Sequence, residues 1–179
     1  MSGNSILGLS QKRMLNMNFQ EKLTTTQRGK IAELHVATAL MAQSAGRLSP
    51  FEPLSDDHGV DLVVLDKVTG AALPVQVKSW FLQVDKQVRT VQFDVQKTTH
   101  SEGQVGAVVC VVIDPETLAI VVSWVIPLRD ISDVATNRPN KFALAPSRLE
   151  GSNDKYTRYR NHTLAGMGES VMELLKAIS

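Results

Sequence analysis

Asp61, Gln76 and Lys78 stand inside two short apolar runs, G-V-D-L-V-V and P-V-Q-V-K-S, that otherwise read as strands packed on both faces. An acid, an amide and an ammonium in such a setting cost stability unless they are partnered or used. Glu33 is a fourth unusual residue. It shares a stripe with Val36, Ala37 and Leu40 at the three- and four-residue spacing of one helix face, which leaves two readings, a carboxylate facing the body of the protein or an edge residue whose carboxylate reaches out to water. Two carboxylates, neutral oxygens and a lysine suit one chemistry in particular. Cleaving a phosphodiester needs charge neutralisation and a deprotonated water, and a divalent cation supplies both. Mg2+, or Mn2+ in its place, takes hard oxygen donors: Asp61, Glu33, and the Gln76 side-chain or Val77 backbone carbonyl. Lys78 is placed to hold the attacking water and to stabilise charge on the phosphate.

The elements that must bring these residues together can be read in order. Thr24, Thr25 and Thr26 offer N-caps for a helix running to about Gln43, with Gly46 as its stop. A short strand is expected over Pro50–Leu54, then strands over Val60–Asp66 and Leu73–Trp80 joined through Lys67-Val68-Thr69-Gly70. A two-residue turn at Thr69-Gly70 would pair Asp61 with Lys78 and Val63 with Gln76, putting Asp61, Gln76 and Lys78 on one face. Further strands are expected at Val88–Val95, Gly106–Asp114 and Leu118–Ile126. A helical turn follows over Leu128–Val134, then loop over Thr136–Asn140, a small strand over Lys141–Leu144, an irregular stretch over Ser147–Asn161, and an amphipathic C-terminal helix through Val171, Leu174, Leu175 and Ile178. Lys30 and His35 lie off the buried stripe and read as solvated.

Composition narrows the classes. The chain has 179 residues, 43% hydrophobic and 21% charged, with net charge +1, so it is globular and any positive footprint for nucleic acid must be local. One cysteine excludes an intrachain disulfide, and with only 4 histidines there is no zinc pattern. Cys110 lies in V-G-A-V-V-C-V-V-I and reads as a core thiol. The run 105–113 is far shorter than the roughly 20 residues of a membrane span. No secretory signal is visible, so a cytoplasmic protein is expected. Residues 1–23 read as an arm and 24–179 as the functional domain.

The arrangement resembles the PD-(D/E)xK nuclease superfamily, over roughly residues 24–127. The resemblance is carried by T-T-T-Q-R-G-K-I-A-E-L-H, S-D-D-H-G-V-D-L-V-V, V-Q-V-K-S and the strand ending W-V-I-P. It is nearest to resolvase-like and uncharacterised members that carry Q-x-K. It implies an α/β (α+β) restriction-endonuclease-like fold, a mixed sheet of about five strands flanked by helices. It further implies that Glu33 assists metal or water binding, Asp61 is the central metal ligand and Lys78 is catalytic. Gln76 departs from the usual Glu or Asp and removes one negative charge; Gln76→Glu is expected to tighten metal binding. Many members act as dimers, so a homodimer is an assembly the resemblance allows.

For DNA, the contact candidates are Lys86, Arg89, Lys97 and His100, and the run Lys155–His162, where Arg158 and Arg160 alternate with tyrosines as for phosphate contact and base stacking. Two functions are compatible with these residues: a metal-dependent DNA endonuclease, or the same fold binding nucleic acid or a protein partner without cleavage.

Overall fold

A computed structural model describes residues 23–55, 58–83, 88–100, 103–161 and 166–178. Most of the expected arm (1–22), Asp56, Asp57, Lys86 and His162 lie outside the described residues.

Helix α1 spans Thr25–Gln43. Its start is a capping box: the Thr24 hydroxyl accepts the Gln27 N–H at 3.2 Å, and the Gln27 side-chain oxygen accepts the Thr24 N–H at 2.9 Å. It ends as expected at Gly46, which has φ 79° and donates its N–H to the Met41 carbonyl at 2.8 Å. Ala32, Val36 and Leu40 form its buried stripe.

Six strands make the main sheet: β1 (Leu48–Phe51), β2 (Leu62–Asp66), β3 (Ala72–Phe81), β5 (Ala107–Ile113), β6 (Ile120–Pro127) and β9 (Arg160–Asn161), in the order β1-β2-β3-β5-β6-β9. The β3–β5 pair is parallel and the others are antiparallel. Strands β4 (Phe93–Gln96), β7 (Thr136–Asn137) and β8 (Lys141–Leu144) form a second sheet in the order β4-β8-β7. Helix α2 (Ile131–Val134) follows β6, and α3 (Gly166–Ile178) closes the described chain.

Strand β5 explains the layering. All of its residues are buried, because alternate side chains enter two cores. Ala107, Val109, Val111 and Ile113 meet the helices α1 and α3, with Leu62, Val64, Val75 and Val77 beside them. Val108, Cys110 and Val112 pack on the other side against Phe93, Val95, Trp124 and Leu144. The result is the expected mixed α+β architecture, with one main-sheet strand more than the periodicity shows. Strand β9 and the two-residue β7 are short and polar, so they carry no alternation; pairing with β6 and β8 makes them strands.

The register of the β2–β3 hairpin corrects the expected one. Leu62 pairs with Val75, Val63 with Pro74 and Leu65 with Ala72, a slip of two residues. An even slip preserves the faces, so the apolar set still meets the helices, and the ladder ends at Leu62 and Val75, with Asp61 just outside β2 donating its N–H to the Val75 carbonyl. Asp66 is the cause. Its N–H bonds to the Ala71 carbonyl and its carbonyl accepts from Gly70, closing a four-residue loop rather than a tight turn. Its carboxylate accepts the Val68 N–H at 3.0 Å and the Thr69 hydroxyl at 3.0 Å, and takes a two-point bond from Arg47 at 2.8 and 2.6 Å.

That carboxylate is buried, and the Arg47 guanidinium, followed by the Val68 and Thr69 donors, holds it far below the usual carboxylate range against the opposing effect of burial. A depressed acid stabilises the fold above its unfolded pKa of about 4 and loses that contribution as pH falls through its folded value. Asp66→Asn is therefore expected to lower the melting temperature at pH 7 by roughly 5–10 °C. The gap between variant and wild type should narrow below about pH 4. Melting curves by circular dichroism across that range check both; a gap that stays constant with pH would contradict the linkage.

Candidate active site

The site is built at one end of the main sheet, where the first turns of α1 lie across β3. Glu33, Asp61, Val77 and Lys78 line one cleft of about 470 Å³, together with Arg28 and Ser79. Glu33 and Asp61 also line an adjoining recess with Lys30, Glu52, Ser55 and Val60. Residues from the helix, the start of β2 and the middle of β3 thus converge, although 28 positions separate Glu33 from Asp61 (61 − 33).

Asp61 is the best-anchored of them. Its N–H donates to the Val75 carbonyl at 3.0 Å, and its Oδ2 accepts the Val77 N–H at 2.6 Å. The carboxylate thus reaches across to the β3 backbone. This charge-assisted bond sets its orientation and ties it to the segment that carries Lys78.

Lys78 is half-buried and paired in register with Cys110 of β5. Cys110 is fully buried, as expected of a core thiol; burial pushes its thiol well up, with the Lys78 charge opposing. Burial also raises the Asp94 carboxyl, but bonds from Lys141 at 2.6 Å and Gln92 at 2.9 Å, with the charges of Lys141 and Lys78, outweigh it and hold that acid below its ordinary range.

Glu33 sits on the edge of the buried stripe, its side chain 21% exposed. Lys30 is exposed, as expected, and in addition bridges Glu33 at 3.2 Å and Glu52 at 2.7 Å. Glu52 above all, with Glu33 adding to it and burial opposing, raises the Lys30 ammonium above its ordinary value. Lys30 and Glu52 are the site residues that sequence reasoning passed over. The i, i+3 spacing of Lys30 and Glu33 was a usable signal; nothing in the chain marked Glu52.

Gln76 goes elsewhere. It lines a small separate recess with His58, Gly59 and Thr99, and is not among the residues lining the Glu33 cleft. A Cβ on Gly59 would stand 2.5 Å from Gln76 Nε2 and 2.9 Å from Thr99 Cβ, and Gly59 has φ 66°. The glycine of G-V-D is thus favoured by its backbone and by the close approach of Thr99.

The expected DNA contacts divide. Arg89 and Arg158 are exposed, the latter with its guanidinium 4.6 Å from the Tyr159 ring centre. Lys97 Nζ lies 5.3 Å above the Phe142 ring. His100 packs edge-on against the same ring at 5.2 Å, with its Nδ1 buried and, among the described residues, without a hydrogen-bond partner. Arg160 donates to the carbonyls of Ser147, Arg148 and Leu149 at 3.1, 2.9 and 2.7 Å and lies over Trp124, so it clamps a loop. Stacking of bases on Tyr156 and Tyr159 is ruled out by packing, since the two side chains are 2% and 8% exposed. The Tyr156 hydroxyl donates to Val134 O at 2.6 Å and accepts the Ala145 N–H at 3.0 Å; the Tyr159 hydroxyl donates to Asp130 at 2.9 Å. In the sequence these rings look available because they alternate with charges. In the fold they plug the second core.

Among the described residues no helix is long and apolar enough to cross a membrane. No protein-family model matches the chain, and no curated protein matches it. Among solved structures, a bacterial homing endonuclease, I-Ssp6803I, is similar at a TM-score of 0.51 and 22% identity, covering 87% of this chain and 94% of that one. At that identity the likeness establishes a shared fold.

Proposed function

We propose that this chain is a metal-dependent endonuclease that hydrolyses DNA phosphodiester bonds by attack of an activated water. The observation that carries this reading is the convergence of Glu33, Asp61, Val77 and Lys78 on one open cleft. The fold shared with a homing endonuclease supports it.

The donor set suits a hard cation. Among the described residues no three His, Cys, Asp or Glu side chains are placed to hold one metal ion between them, so an ion here would rest on fewer side chains and fill its shell with backbone oxygen and water. Two carboxylates with a backbone carbonyl match Mg2+ or Mn2+, which keep several waters of their own. Asp61 and Glu33 would hold the ion, with the Val77 carbonyl as a neutral ligand. A bound divalent ion lowers the pKa of its water and neutralises charge on the phosphate. Asp61, fixed by the Val77 N–H, presents its carboxylate without reorganising. Lys78 holds the water oxygen that attacks phosphorus, and its charge offsets the negative charge that builds there as the P–O bond to the leaving deoxyribose oxygen breaks. Arg28, in the same cleft, together with Arg89, Lys97 and Arg158, supplies phosphate contacts. Residues 24–179 act as the nuclease unit and 1–23 as an arm.

A second reading, a DNA-binding module that does not cleave, is favoured by one observation: Gln76 is neutral and faces Gly59 rather than the cleft. The two readings separate in one assay. Full-length protein is incubated with supercoiled, branched and single-stranded DNA in Mg2+ or Mn2+, with and without EDTA. The expected outcome is nicking in either metal, abolished by EDTA. Retention of DNA on a gel with no nicking in either metal would establish the module instead.

A further inference from the structure

The recess beside the cleft holds three carboxylates, Glu33, Glu52 and Asp61, and one ammonium, Lys30. The ammonium sits between two of them, 2.7 Å from Glu52 Oε2 and 3.2 Å from Glu33 Oε2. A cation already resting on Glu33 competes with an incoming metal for the same lone pairs. Lys30 is three residues from Glu33 on α1 and stays within reach of it by helix geometry. Glu52 comes from the other side, just past the end of β1, and offers the shorter contact.

We propose that Glu52 is a positioning residue of the metal site: it draws the Lys30 ammonium away from Glu33 and holds it there while Glu33 turns to a divalent ion. The proposal rests on the reading of Glu33 and Asp61 as the metal-holding pair. It explains why a lysine is tolerated against a metal-binding carboxylate, since the ammonium has a second seat and need not be expelled into water. It also predicts where the effect is read. The side chains of Lys30 and Glu52 are 49% and 45% exposed, so the bridge adds little to folding stability, and its consequence falls on cation affinity.

The test is a titration of the full chain with Mn2+, following the free ion by electron paramagnetic resonance, for wild type, Lys30→Met, Glu52→Gln, the double variant and Asp61→Ala. Removing one unit charge several ångströms from the ion in a half-exposed cleft is expected to tighten binding roughly 3–10-fold in Lys30→Met. Glu52→Gln is expected to weaken it by a similar factor, because Lys30 then rests on Glu33 alone. In the Lys30→Met background the same Glu52→Gln change should have at most a third of that effect. An affinity unchanged in Lys30→Met overturns the proposal, as does a Glu52→Gln effect of equal size in both backgrounds, which would make Glu52 act on the ion itself. Loss of binding in Asp61→Ala alone, with the Lys30 and Glu52 variants at wild-type affinity, would refute the proposal while leaving the metal site standing. Binding that survives Asp61→Ala would refute the site.

Discussion

Lys78→Ala should lower metal-dependent nicking of supercoiled DNA by roughly 10²–10³-fold while leaving the urea midpoint of unfolding close to wild type. The size of the loss reflects when the side chain acts. It offsets charge that grows only as the phosphorus–oxygen bond breaks, so its removal is felt in the transition state and little in binding. The cleanness follows from the position. Lys78 lies in the middle of β3, with its neighbours Val77 and Ser79 paired to Val109 and Val111 of β5, so the backbone is held without its side chain. Asp61→Ala should reduce nicking at least as much, but it also removes the 2.6 Å bond to the Val77 N–H and leaves that donor unpaired, so part of its effect would be structural. Lys78 is therefore the sharper probe. Single-turnover nicking rates, compared with circular dichroism of the same preparations, check this. Wild-type rates in a folded Lys78→Ala protein would remove Lys78 from the chemistry.

Trp124→Ala is expected to produce the largest loss of stability, about 3–5 kcal/mol in urea unfolding. Trp124 is among the largest fully buried side chains, 1% exposed, at the centre of the core between the main sheet and the β4-β8-β7 sheet. Its ring meets Phe93 of β4 at 6.1 Å, it pairs in register with Cys110, and the Arg160 guanidinium lies 5.9 Å above it. Truncation leaves a cavity that these rigid neighbours cannot fill, and strands of both sheets lose a shared contact. A typical domain has only about 5–15 kcal/mol to lose, so the variant should melt much earlier. Below its melting point it should still nick DNA, because Trp124 is not among the residues that line the Glu33 cleft. A loss under about 1 kcal/mol would mean that this core collapses around the gap more readily than its packing indicates.

The two experiments probe parts of the molecule that differed in how openly the sequence displayed them. Helix α1, strands β2, β3, β5, β6 and β8 and helix α3 were all legible, because each buries a face or both faces and so carries apolar residues at a regular spacing. The Thr24 cap and the Gly46 stop were legible for a local reason, since both satisfy backbone groups within a few residues. Strands β7 and β9 were not. They are short, polar and defined by partners far along the chain. Tyr156, Tyr159 and Arg160 misled for the same reason: sequence shows which residue types are present but not which side chains are already committed to packing or hydrogen bonds.

The candidate site divides along that line too. Its four residue types, their place on a helix stripe and on two strands, and the chemistry they suit were determined by the sequence alone, because helix and strand periodicity decides which residues share a face. Their partners were decided only by the tertiary structure. Asp66 and Arg47 set a loop length that shifted the hairpin by two residues. The seat formed by Gly59 and Thr99 took the Gln76 amide, and the end of β1 brought Glu52 to Lys30. Each of these depends on a hydrogen bond or ion pair between segments that local spacing does not connect, and only the packed chain could choose among them.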